Sequence, residues 1–123
     1  MGNQPLKGFA RLAAAWRNSR AGFRDAWQNE EAFRIEFTLF VLSVPLAFWL
    51  ADGVFRAAIL IAVVLLLVIV EVLNSAIEAV VDRIGPERHD LSRLAKDLGS
   101  LAVLLAAVLA GIVWIAAIVE KVG

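Results

Sequence analysis

Residues 71–100 read EVLNSAIEAVVDRIGPERHDLSRLAKDLGS. The segment starts inside one long apolar run and ends where another begins. Between the two stand Glu71, Asn74, Glu78, Asp82, Glu87, His89, Lys96 and Asp97. Ionisable groups at membrane depth are costly, so a segment needed only for anchoring would carry none of them. At about 100° per residue, Glu71, Asn74, Glu78 and Asp82 fall within roughly a quarter turn of one helix face. Ser75 lies close by. A polar stripe on an otherwise apolar helix points inward or at a partner.

Upstream of this segment the apolar pattern predicts a helix from about Arg56 to Ile84, stopped by Gly85-Pro86. A hydrocarbon layer of ~30 Å takes ~20 helical residues. Counted from Ala57, the layer ends near Ala76. Glu71 then lies inside the boundary and Glu78 just outside it, so depth alone makes them different chemical objects. Downstream, Leu98 to Val119 carries no charge and is long enough to span. Asp90 or Ser92 is the expected cap of that helix. A shorter run, Phe37 to Ala51, makes another span if Arg34 and Glu36 sit at the boundary and their stems snorkel. Pro45 is expected to kink it, and Asp52-Gly53 to turn the chain.

Residues 6–28 read differently. Phe9, Leu12, Ala13, Trp16, Phe23 and Trp27 share a narrow sector of a helical wheel, while Lys7, Arg11, Arg17 and Arg24 lie elsewhere. That is the pattern of a basic amphipathic helix lying in the membrane interface. Arg20 would enter the apolar sector, so Asn18-Ser19 and Gly22 suggest a break there. Glu30 and Arg34, four apart, read most simply as an ion pair on a helix face.

Composition supports a membrane protein: the chain is 61% hydrophobic with a mean hydropathy of +0.78. Its twelve basic and twelve acidic residues cancel, which leaves no basic footprint for nucleic acid. No cysteine and a single histidine argue against disulfides and structural zinc. The N-terminal residues show no signal-peptide pattern. The expected fold is all-α: one integral membrane domain over 1–123, assembled as an oligomeric helical bundle. It comprises a surface helix at 6–28 and transmembrane helices at about 32–51, 55–84 and 92–120. Lys7, Arg11, Arg17, Arg20, Arg24 and Arg34 precede the first span, and Arg83, Arg88, Arg93 and Lys96 follow the second. The positive-inside rule makes that side, with the N-terminus, cytoplasmic.

Carboxylates spaced as on the 71–82 stripe suit a hard divalent cation, and Mg²⁺ takes one or two of them beside phosphate oxygens. Glu71, deeper and drier, suits a general base that meets a lipid hydroxyl. Lys96 could reach a phosphate as a point charge. Two other readings stand beside this one. The groups could satisfy one another as polar glue between helices, or line an ion or proton path in an oligomer. No Walker-type phosphate loop is present.

EVLNSAIEAVVDRIG followed by KDLGS closely resembles the signature of the prokaryotic diacylglycerol kinase family. WQNEEAFRIE, residues 27–36, looks like that family's segment ahead of its first span. The resemblance implies a homotrimer in the bacterial inner membrane with active sites shared between subunits. It implies transfer of the γ-phosphate of MgATP to diacylglycerol, giving phosphatidic acid. Related members phosphorylate undecaprenol instead. Carried over by position, Glu71 is the catalytic base with Asn74 beside it, and Glu30 and Glu78 hold Mg²⁺. Lys96, Asp97, Glu87 and His89 contact ATP, helped by Arg11 and Asn18 of the surface helix. Arg34, Glu36 and Ser100 line the lipid-facing part.

Overall fold

The computed structural model describes Pro5 and residues 7–123. Four helices follow one another: α1 Gly8–Asn29, α2 Glu31–Leu50, α3 Val54–Ile84 and α4 Asp90–Val122. The chain divides into two compact units, residues 1–31 and residues 32–123.

The first unit carries α1. The expected start of this helix at residue 6 lies outside the described residues. None of its side chains is buried, and Phe9, Leu12, Trp16, Phe23 and Trp27 are all exposed. Phe23 and Trp27, one turn apart, stack with ring centroids 5.9 Å apart. The break expected near residues 18–22 does not occur, because α1 is continuous. A glycine inside a helix costs about 1 kcal/mol against alanine, too little to interrupt a run with good helix formers on both sides. Arg20 needs no break either, since its long stem can lie along apolar surface while its head reaches water. The helix ends where Glu30 adopts an extended conformation, its N–H donating to Ala26 O.

In the second unit three helices are long and apolar enough to cross a membrane. At 1.5 Å per residue α3 is about 46 Å long, well beyond a ~30 Å hydrocarbon layer. Its polar end therefore has to leave the apolar region. Helix α2 runs through Pro45 without interruption, and buried Ser43 satisfies its hydroxyl by donating to Phe40 O at 2.6 Å.

The main helix packing is between α3 and α4, an antiparallel pair joined by residues 85–89. All the buried residues of α4, Gly99, Ala106 and Ala110, are small. Where no water-driven force separates helix from lipid, small residues let backbones approach and gain dispersion contacts. At the end remote from the polar stripe, Ala47 and Leu50 of α2 pack with Ala57 and Leu60 of α3. Trp114 closes this cluster and donates its indole N–H to Leu60 O at 3.0 Å. Beyond it, Arg56 pairs with Glu120 at 2.9 Å, and Lys121 donates to Trp49 O and lies over the Trp49 ring. Leu39, Phe48, Ile69, Leu73, Leu104 and Ile112 are exposed, as lipid-facing side chains are.

Candidate active site

The buried side of α3 begins with Ala57, Leu60, Val64, Leu67 and Val68 and continues directly into Glu71 and Asn74. The polar stripe is thus the lower end of the core stripe. Glu71 is 6% exposed and Asn74 8%, whereas Glu78, one turn further, is exposed. Burial between helices therefore falls along the stripe from Glu71 to Glu78.

Neighbours of these residues come from both other helices. The half-buried Glu36 of α2 brings its carboxyl to that of Glu71, within hydrogen-bond contact. Asn74 Nδ2 donates to Glu78 Oε1 at 3.1 Å. The Oδ1 of the same amide is buried and has no hydrogen-bond partner. It packs on Gly99 of α4 so closely that a Cβ there would collide with it. Gly99 is therefore the residue that lets α4 reach the polar stripe. From α4, Lys96 Nζ pairs with Asp82 Oδ1 at 2.7 Å and also lies in the field of Glu78.

Beyond the stripe, the end of α3, the 85–89 loop and the start of α4 enclose a cleft of about 540 Å³. Asp82, Glu87, His89, Arg93, Lys96 and Asp97 line it. Arg93 and Asp97, four apart on α4, form an ion pair at 2.9 Å. His89 Nδ1 accepts from Leu91 N–H at 3.0 Å, so His89 caps α4 in place of Asp90 or Ser92. An imidazole acceptor just ahead of the first turn satisfies one of the orphan donors there.

The structure thus gathers Glu36, Glu71, Asn74, Glu78 and Lys96 along one face, and Glu87, His89, Lys96 and Asp97 around one cleft. Ser100 is exposed and lies about 100° around α4 from Gly99, off the buried face. Arg34 is half-buried on α2. Arg11 and Asn18 are exposed on α1, and Glu30 is the half-buried extended residue after it. Two contributors escape a reading of the sequence. Gly99 carries no chemistry of its own, and the pairing of Asp82 with Lys96 depends on how two helices dock. The signal for Gly99 is a glycine one helical turn after Lys96, inside an otherwise good helix former run.

Mg²⁺ takes hard oxygen donors and keeps room for phosphate. Glu78 offers an exposed carboxylate, one oxygen of which is held by Asn74. The donor set fits that ion in kind. Among the described residues, no three His, Asp or Glu side chains gather into a complete protein cage.

A helical membrane protein with a buried carboxylate, a wet carboxylate and a lysine converging on a polar cleft is the class this fold and site define. The family model for prokaryotic diacylglycerol kinase matches residues 17–118. The diacylglycerol kinase of Escherichia coli strain K12 is 52% identical over 107 residues, covering 87% of this chain and 88% of the relative. That of Haemophilus influenzae is 45% identical over 107 residues, covering 87% and 91%. That of Pseudomonas aeruginosa is 45% identical over 117 residues, covering 93% and 95%. The chain belongs to the prokaryotic diacylglycerol kinase family. It is a bacterial membrane protein and a lipid kinase.

Proposed function

We propose that the chain transfers the γ-phosphate of MgATP to the free hydroxyl of diacylglycerol, giving phosphatidic acid and ADP. The observation that carries this reading is the graded stripe on α3: Glu71 is buried among the helices, Glu78 is exposed, and Lys96, in the field of Glu78, lines the polar cleft. A lipid hydroxyl and a water-borne nucleotide approach such a stripe from opposite ends.

In this mechanism the Glu71 carboxylate accepts the proton of the lipid hydroxyl while that oxygen bonds to the γ-phosphorus. The bond from phosphorus to the β,γ-bridging oxygen breaks, and ADP leaves. Burial of Glu71 keeps it from being levelled by water and holds it where the hydroxyl arrives. Asn74 holds Glu78 through its amide N–H, and Gly99 fixes Asn74 from behind. Lys96 supplies fixed positive charge for the transferring group, which needs positioning and neutralisation more than covalent help. Glu30 and Glu78 would hold the Mg²⁺ that arrives with ATP, and the ion would supply further neutralisation on the phosphate oxygens. Glu87, His89 and Asp97 would hold the nucleoside end, with Arg11 and Asn18 assisting. Arg34, Glu36 and Ser100 would line the approach of the lipid.

The distribution of Lys and Arg supports a site on the cytoplasmic side of the membrane. A homotrimer with shared sites accounts for the exposed, functional face of Glu78 and Asp82, which a neighbouring subunit would complete. The relatives named as diacylglycerol kinases, 45–52% identical, support diacylglycerol rather than undecaprenol as acceptor.

Two substitutions separate the roles. Glu71→Gln should lower kcat about a hundredfold or more, within the ~10²–10⁴ range for a general base, with ATP binding nearly intact. Glu78→Gln should shift the Mg²⁺ titration to higher concentration. A parallel loss of nucleotide affinity in Glu71→Gln, or an unchanged Mg²⁺ titration in Glu78→Gln, would contradict the assignment.

A further inference from the structure

We propose that Asp82 is the positioning residue of Lys96, holding its ammonium in the cleft so that it meets the nucleotide phosphates already ordered. This rests on the reading of the cleft as the nucleotide site. Lysine presents a compact charge on a flexible four-carbon stem, so a free lysine has to be ordered when its ligand binds. Lys96 is not left free: one of its three N–H donors is taken by Asp82 Oδ1 at 2.7 Å. Two donors remain for an incoming phosphate.

The placement of the pair argues against a purely structural role. Both side chains are substantially exposed, 42% for Lys96 and 67% for Asp82, and ion pairs in water contribute little to folding. The α3–α4 contact is already made by Gly99 against Asn74 and by the small residues above it. Both members of the pair line the cleft, and Asp82 continues the face of α3 that carries Glu71, Asn74 and Glu78. The second cation fixed there, Arg93, is tied to Asp97 within α4. Among the described residues lining this cleft, Lys96 is the cation held from one helix to the other.

The test is binding of a non-hydrolysable MgATP analogue to the full chain in detergent micelles, alongside thermal unfolding. Asp82→Ala should raise the Kd about five- to tenfold, the cost of ordering one long side chain at binding. Asp82→Glu should recover most of that loss. In a Lys96→Met background, Asp82→Ala should add nothing further. The exchange Asp82→Lys with Lys96→Asp should leave the unfolding temperature near that of the wild type but binding weak, because it puts a carboxylate where phosphate must sit. An unchanged Kd in Asp82→Ala, an equal rise in the Lys96→Met background, or full binding by the exchanged pair would each overturn the proposal. A wild-type chain that binds the analogue yet labels no lipid would refute the proposed reaction while leaving this test intact. Failure of the wild type to bind it at all would refute both.

Discussion

Asn74 is the most constrained polar residue of the site. Its amide N–H reaches Glu78, and its oxygen is pressed on Gly99 with no hydrogen-bond partner. An alanine at position 99 would gain up to about 1 kcal/mol of helix propensity. It would also force Asn74 or α4 to move, and overpacking of this kind costs typically about 1–3 kcal/mol. The steric term wins. Gly99→Ala is expected to lower kcat at least tenfold and to lower the unfolding temperature in micelles; a variant that is both more stable and fully active would show that the close approach is dispensable. At this scale the sequence reveals residues that are expensive where they stand. Glu71, Asn74 and Glu78 could be picked out because an apolar helix has no use for them. Gly99 and the Asp82–Lys96 pair could not, since their meaning lies in the docking of one helix on another.

Helix ends show the same division. Hydropathy and the Gly85-Pro86 stop mark where α3 finishes, because both are local signals. The start of α4 is less legible: Asp90 and Ser92 are the usual capping types there, yet the His89 imidazole takes the role. The Nδ1 atom can accept only when it carries no proton. Losing an N-cap typically costs a helix about 1 kcal/mol. His89→Ala is therefore expected to speed amide exchange about fivefold across residues 90–93, with residues 106–118 unaffected. His89→Asn, which can also accept, should restore the slower rate. Unchanged exchange in His89→Ala would mean that the loop, not the cap, sets where α4 begins. Helix α1 carries the opposite lesson. Its Asn18-Ser19 and Gly22 look like a break, yet the penalties are small and the helix absorbs them.

Over the whole molecule, length and apolar content dictate three spans because an unpaired backbone in lipid is far costlier than any local propensity. The class of fold follows from that alone. The chain's charges cancel in sum but not along the sequence: Lys and Arg gather before α2 and after α3, the bias from which an orientation is proposed. The reaction is less accessible to such reasoning. Carboxylates in a membrane helix serve metal binding, proton transfer and ion passage alike, and the family, not the physics, selects among them.

The most direct test of the proposed reaction follows the label from [γ-³²P]MgATP into lipid in mixed micelles offering diacylglycerol and undecaprenol separately, with Glu71→Gln assayed beside the wild type. The expected result is rapid labelling of diacylglycerol, slowed about a hundredfold or more in the variant. Labelling of undecaprenol alone, or equal labelling by wild type and Glu71→Gln, would contradict it.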